Sequence, residues 1–384
     1  MKTIFDLPGE LLEDEILSRL SMTSLRSVRS TCRKWNFLCK NRILFGKAAE
    51  AKTQFMMMDS RICLMNFDLC KERPSIKQVK VLDQIEISKV FQCNGLLLCV
   101  LKDCSRLLVW NPYLGQTRWI KPRHSFQRDD RFAIGHDNNN LNHKILRIFD
   151  ETHLVTDRRR VLGFELYEFN SSSWKVLDDV TPHWDILSDV RSVSLKGNAY
   201  FTAHKNTREE WRETRRFLCF DFTTERFGPL LPLPFQSEQG GLFTSLSVVR
   251  EEQLAVSYQH RVSRETVEIS VTDKIGPHVV SWTKFLRLVT SFCVQPYSGS
   301  FFVEEEKKTA VFFVLESVNA CCYQTAHLIG QDGYFKSLRI REAPYPGNDF
   351  YPRIRYCAPL VCASYLPSLV QLQIKQPTVL MERM

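Results

Sequence analysis

The hydrophobic positions along this chain change period near residue 50. Before that point, Leu12, Ile16 and Leu20 form one i, i+4 stripe, widened by Leu11 and Leu17, which is the spacing of an amphipathic helix. Asp6 suits the N-cap of that helix and Pro8 its first turn, where a missing N–H costs nothing. Glu10, Glu13, Asp14 and Glu15 favour its positive end. Ser21 or Thr23 caps a second predicted helix carrying Leu25, Val28 and Cys32, with Arg26, Arg29 and Arg33 on another face. Trp35 follows one turn after Cys32, and Leu38 one turn after that. Two short helices of this kind are marginal in water. So much apolar surface on so little chain predicts docking onto a partner, against the simpler reading of a local helical hairpin core.

From about residue 53 the helical period gives way to short β-branched and aromatic runs separated by Gly, Asn, Asp and Pro, the signature of strands and turns. A unit recurs. Val109-Trp110-Asn111-Pro112 ends one strand and the chain returns through Thr117-Arg118-Trp119-Ile120. Glu168-Phe169-Asn170-Ser171 is answered by Trp174 to Leu177, Cys219-Phe220-Asp221-Phe222 by Glu225-Arg226-Phe227, and Val271-Thr272-Asp273-Lys274 by Trp282 to Phe285. The landmarks Asn111, Asn170, Asp221 and Asp273 are 59, 51 and 52 residues apart, and each is expected at a strand end beside a turn. Upstream of them lie further strand candidates at Gly95–Leu101, Lys144–Phe149, Ser192–Leu195 with Ala199–Ala203, and Leu246–Val249 with Leu254–Tyr258. A fifth unit is read from Phe301 through Val311–Leu315 and His327–Ile329 to Tyr334-Phe335. The strand at Leu360–Cys362 is expected to pair near Ile62–Met65 and close a sixth unit. Four strands per unit of roughly 50 residues is the spacing of a kelch-like β-propeller. The competing arrangement is an irregular β-sandwich whose hairpins share composition only.

The opening residues resemble an F-box: Leu7-Pro8, Glu10-Leu11, Ile16-Leu17, Arg19-Leu20, Leu25, Val28-Arg29, Cys32 and Trp35 stand at that family's spacings over roughly residues 3 to 45. Ser21 follows Leu20 where the family usually has proline, a departure that leaves the apolar stripe intact. The body resembles the plant F-box-associated interaction domain. The residues that carry this are Asn94-Gly95-Leu96-Leu97-Leu98, Trp110-Asn111-Pro112 with Gly115-Gln116-Thr117-Arg118-Trp119, Phe220-Asp221-Phe222-Thr223-Thr224-Glu225-Arg226-Phe227, Leu231-Pro232-Leu233-Pro234-Phe235, Arg250-Glu251-Glu252-Gln253-Leu254 and Ser281-Trp282-Thr283-Lys284-Phe285. Kelch diglycines do not recur, since Gly240-Gly241 occurs once.

The resemblance implies an α+β chain, with a small α-helical F-box over residues 1–48 and a large all-β, propeller-like domain over 49–384. The F-box would bind a Skp-type adaptor through Leu7, Pro8, Leu11, Ile16 and Leu17 from the first helix, and Leu20, Leu25, Val28, Cys32 and Trp35 further on. That adaptor ties the chain to a cullin-RING ubiquitin ligase, for which the β-domain would capture a target protein. Candidate target-binding loops, by length and polarity, are Ser125 to Asp130, His204 to Arg216 and His260 to Glu265. The alternative is a ligase-independent propeller that binds a glycan or peptide and carries a vestigial F-box.

Composition narrows this further. The net charge of +9 over 384 residues is modest, and the short basic runs Arg158-Arg159-Arg160 and Arg208–Arg216 make no continuous stripe, so no nucleic-acid partner is expected. No run reaches membrane-spanning length, and the first residues carry charge where a signal peptide would be apolar. The 13 cysteines include no Cys-x-x-Cys pair, and those at Cys93, Cys99, Cys219 and Cys293 sit inside apolar runs. They read as small buried hydrophobes in a reducing compartment, which fits the cytoplasm and/or nucleus and argues against a metal site. No nucleophile elbow, phosphate loop or metal-spaced His/Glu motif occurs. The chain is therefore expected to be non-catalytic and to need no cofactor.

Overall fold

The computed structural model describes residues 53–66, 75–78, 82, 84–150, 162–178, 184–186, 191–205, 215–235, 243–259, 266–290, 292, 299–318, 321–343, 359–362 and 365–372. The two helices expected over residues 1–48 lie outside these. The described residues form strands in six antiparallel sheets. The first sheet holds β1 (Thr53–Met58), β2 (Arg61–Asn66) and β3 (Ser75–Gln78). The second holds β4 (Ile87–Cys93), β5 (Leu96–Leu101), β6 (Leu107–Asn111) and β7 (Gln116–Ile120). The third holds β8 (Arg131–His136), β9 (His143–Asp150), β10 (Leu162–Glu168) and β11 (Ser173–Val176). In the fourth, the short pieces β12 (Trp184–Ile186) and β13 (Val193–Leu195) both pair with β14 (Asn198–Lys205), which continues to β15 (Arg215–Asp221) and β16 (Arg226–Phe227). The fifth runs through β17 (Phe243–Val249), β18 (Gln253–Gln259), β19 (Thr266–Gly276) and β20 (Val279–Val289). The sixth runs through β21 (Gly299–Glu304), β22 (Thr309–Val318), β23 (Cys321–Gly330) and β24 (Phe335–Ala343).

The last strand, β25 (Leu360–Cys362), returns to the first sheet and pairs with β1, Phe55 opposite Cys362 and Met57 opposite Leu360. Ends of the chain thus share one blade, which closes the ring and leaves it no seam held by packing alone. The innermost strands β4, β8, β13, β17, β21 and β25 touch in sequence, and β25 meets β4. This radial order makes a six-bladed propeller, not two packed sheets.

The periodicity of the body follows from this arrangement. A blade is covered on both faces by its neighbours, so a central strand such as β5 reads Leu-Leu-Leu-Cys-Val-Leu with every residue buried. Leu96, Leu98 and Val100 pack toward Phe132 and Ile134 of the third blade. Leu97, Cys99 and Leu101 pack toward Phe55 and Met57 of the first. Each of the other blade boundaries holds its own apolar layer: Phe164 with Phe201, Phe217 with Val256, Ile269 with Phe312, and Phe313 with Met56. Among the described cysteines all are free, and Cys93, Cys99 and Cys219 are buried members of these layers. Cys293 lies outside the described residues.

Three of the four landmarks behave as expected. Asn111 and Asp221 end β6 and β15. The N–H of Leu114 donates to Asn111 Oδ1 (3.0 Å), and that of Thr223 to Asp221 Oδ1 (2.8 Å). Asn170 sits in the turn after β10. Asp273 departs: it lies inside β19 at a β-bulge between Thr272 and Lys274, where its carboxylate accepts from Thr283 Oγ1 (2.7 Å). The β19–β20 hairpin outlasts the other outer hairpins, so the turn moves onward to Pro277-His278 and the bulge absorbs the change in register. The closing strand also differs by one position from expectation, pairing with β1 instead of the Ile62–Met65 strand β2.

Candidate functional site

The six innermost strands run in one direction, so the connections sort onto two faces. On one face lie the short turns that follow the innermost and third strands, such as 94–95, 112–115, 196–197, 222–225 and 277–278. We call it the strap face, because residues 365–372 cross it after β25. Toward the opposite loop face run the connections that follow the second and fourth strands of each blade, of which 121–130 is described in full. Long loops on a rigid scaffold are where binding residues concentrate. The three candidate target loops all leave from this loop face. His204 and Arg216 themselves belong to β14 and β15, which trims the middle loop to 206–214. That stretch and 260–265 lie outside the described residues.

Segment 121–130 is described, and it is held from beneath. Phe126 is buried and meets Phe132 edge-on at 5.4 Å. Asp130 is buried and accepts from the N–H of Gln127 (2.9 Å) and from Arg147 Nε (2.8 Å). Arg147, itself buried in β9, donates onward to Glu165 Oε2 (2.9 Å) and to the carbonyl of Ser125 (2.9 Å), with its guanidinium over the rings of Phe126 and Phe149. Lys89 Nζ donates to the carbonyl of Asp130 (2.7 Å). Burial pushes the Asp130 carboxyl above its usual range while Arg147 pulls it back. The product is a clasped loop whose exposed tip carries Gln127, Arg128 and Asp129, beside exposed Arg123 and His124. Buried Arg131 adds a second ion pair, to half-buried Asp150 at 2.8 Å.

The axis of the propeller is crossed by side chains. Between β12 and β13 the inner strand of the fourth blade is interrupted, and Arg191 leaves the interruption. Its guanidinium donates to the carbonyls of Val90 in the second blade (2.6 Å) and Val361 in the first (3.5 Å). Near the strap face, Gln92 Nε2 of the second blade donates to Glu251 Oε1 of the fifth, the opposite blade, at 3.3 Å. Glu251 sits in a turn where both Arg250 and Glu251 adopt positive φ (50° and 55°). Its burial raises the carboxyl to about 7. Serines complete the lining of the axis: Ser192 Oγ donates to the carbonyl of Phe132 (2.8 Å), Ser194 to that of Ile134, and Ser300 to that of Pro359 (2.9 Å). These contacts satisfy the otherwise open edges of innermost strands. The axis is therefore structural.

The strap is fixed by two motifs noted in the sequence. Asn111 is fully buried, and its Nδ2 donates to the carbonyls of Ser368 (3.0 Å) and Val370 (2.9 Å). Tyr365 donates to the carbonyl of Gly95 (3.2 Å). Gly95 has φ +70°, and a Cβ there would lie 2.4 Å from the Cβ of Ser368. Asn94-Gly95 and Asn111-Pro112 thus serve the closure of the ring.

Sequence reasoning missed Arg147 and Arg191, and read Glu251 only as part of the turn between β17 and β18. A signal existed only for Arg147: a charge inside the apolar run Ile145-Leu146-Arg147-Ile148 must find buried partners. The adaptor-binding candidates from Leu7 to Trp35 lie outside the described residues.

Comparison with known proteins places both halves of the chain. Residues 4–47 match the F-box-like family, and residues 53–372 match the F-box associated beta propeller domain. An F-box/kelch-repeat protein of Arabidopsis thaliana is 56% identical, with 98% of each chain covered. A putative F-box protein of the same plant is 50% identical over 97% of this chain and 100% of its own, and a further F-box protein 47% identical over the same shares. The chain belongs to the F-box proteins that carry an F-box associated β-propeller domain.

Proposed function

We propose that this protein is the substrate-recognition subunit of a Skp–cullin–F-box ubiquitin ligase. Residues 1–48 act as the adaptor-binding module, docking on a Skp-type adaptor through Leu7, Pro8, Leu11, Ile16, Leu17, Leu20, Leu25, Val28, Cys32 and Trp35. Residues 49–384 act as the domain that holds a target protein on the loop face. The chain performs no chemistry of its own; it supplies position to a transfer carried out by the ligase. A reducing compartment, cytoplasm and/or nucleus, suits its free buried cysteines.

One observation carries this reading: an F-box match ends at residue 47 and a propeller match begins at residue 53, and β1 starts on the strap face. The chain therefore enters the propeller at Thr53, on the face away from the long connections. A ligase receptor needs this separation, because target and adaptor must be held at once.

The test is calorimetric titration of the full chain with a purified Skp-type adaptor. Binding is expected, and replacing Leu7 and Pro8 with Ala should weaken it by about 1–3 kcal/mol each, as for buried interface anchors. Equal affinity for wild type and variant would remove the assignment.

A further inference from the structure

The outer corner of the second blade, on the loop face, carries aromatic and charged surface that the fold does not use. Trp119 of β7 is 42% exposed, and among the described tryptophans it alone is exposed. Arg106, at the end of the β5–β6 connection, lays its guanidinium over the Trp119 ring at 4.3 Å. Leu107 stands opposite Ile120 across β6 and β7, so Arg106 and Lys121 share one end of that strand pair. Arg123 follows two residues on. Arg106, Lys121 and Arg123 are all exposed, and among the described residues none of them forms an ion pair.

The backbone beneath these side chains is fixed. The N–H and Oγ of Ser105 donate to Asp103 Oδ1 (3.0 and 2.8 Å), which sets the turn that presents Arg106. Trp174 Nε1 donates to the carbonyl of Lys121 (2.8 Å), and buried Phe126 meets Trp174 at 6.0 Å. Carboxylates on this side of the blade already have partners: Asp103 has Ser105, Glu86 has Lys102 Nζ (3.3 Å), and Asp130 has Arg147. Unbalanced cations around an exposed tryptophan have the composition of an interface hot spot, and their sign selects an acidic partner. Glu86, Asp103 and Asp129 break the positive surface, which disfavours the continuous phosphate chain of a nucleic acid and suits a short acidic peptide.

We propose that Arg106, Trp119, Lys121 and Arg123 form a docking site for a short segment of the target protein rich in Asp and Glu. The three cations meet its carboxylates, and Trp119 takes the apolar side chain beside them. This rests on the receptor reading for what the bound protein is, though not for where an acidic peptide binds.

The experiment is selection of random short peptides displayed on phage against the full chain, followed by anisotropy titration of the recovered peptides. Their sequences should be enriched in Asp and Glu. The double variant R106E/R123E should bind them at least about tenfold more weakly, since it turns attraction into repulsion. W119A should weaken binding on the order of fivefold. K196E makes a charge reversal at an exposed lysine of the strap face and should leave affinity unchanged. All these side chains are exposed, so melting should be kept; R123E alone provides the readout if the double variant melts early. Recovered peptides without acidic bias overturn the proposal. So does equal affinity of acidic peptides for wild type, R123E and W119A, which places their site elsewhere. A single-stranded oligonucleotide that outbinds the recovered peptides and is lost in R106E/R123E also overturns it, with nucleic acid as the occupant. Failure of the receptor reading is seen separately, as absent adaptor binding by a chain that still binds the acidic peptides.

Discussion

The two faces of the propeller are built by different means. On the strap face, backbone geometry does the work: turns such as Asn94-Gly95 and Lys196-Gly197 pair two positive φ values, the hairpin geometry that matches strand twist. Carbonyls of the strap are held by Asn111. On the loop face, the described connection 121–130 is held by buried charge, with Arg147 between Asp130 and Glu165, and its tip is left to solvent. A face fixed by turns tolerates little change at any position. A face anchored from beneath by a few ions leaves its tips free to vary. That difference suits the proposed role, in which closure is constant and the target is not.

The sharpest way to break this comparison is at Arg147. R147M leaves Asp130 and Glu165 buried without their counter-charge, and should cost about 3–5 kcal/mol of stability, read as a fall in the urea midpoint. A loss below about 1 kcal/mol would mean that the loop face is not ion-anchored. The matching substitution on the strap face is G95A. It combines a positive-φ penalty of about 1–2 kcal/mol with a Cβ placed against the backbone carbonyl of Leu366 at 2.5 Å, so about 2–4 kcal/mol is expected. Stability equal to wild type would detach the strap from Gly95.

These two residues also mark what the sequence reveals. Gly95 and Asn111 stand in legible motifs, because a turn requires a particular residue type. The blade repeat was legible through Asn111, Asn170 and Asp221 for the same reason. Asp273 was misplaced because a bulge inside a long hairpin keeps the local pattern of a turn while shifting the turn itself. The innermost strands β4 and β8 were not singled out. Their side chains enter two different blade layers, Phe132 in one and Ala133 in the next, so no alternation of apolar and polar residues marks them. The partners of Arg191 and Glu251 were invisible, although Glu251 stood in a legible turn, because they are backbone carbonyls or a glutamine on blades across the ring, at separations no local pattern encodes.

Glu251 gives a smaller effect with a sign. Its carboxyl is raised to about 7 from 4.5, so the folded chain binds a proton there that the unfolded chain does not. Its favourable contribution is complete below pH 4.5 and is lost as pH rises through about 7. E251Q should therefore gain stability relative to wild type across that window, on the order of 3 kcal/mol. A difference that stays constant with pH would place the carboxyl in water. The smallest effect is expected at the loop-face tip: R128A should change stability by no more than about 0.5 kcal/mol. A larger loss would show that the tip, like the strap face, is committed to the fold.

The proposed function has the adaptor engage residues 1–52 and leave the loop face open for a target. Hydrogen exchange of the full chain with and without saturating Skp-type adaptor tests it directly. The account predicts new protection within residues 1–52, and none in 121–130, 206–214 or 260–265. Protection of those loop-face segments by the adaptor, with residues 1–52 unaffected, would contradict it.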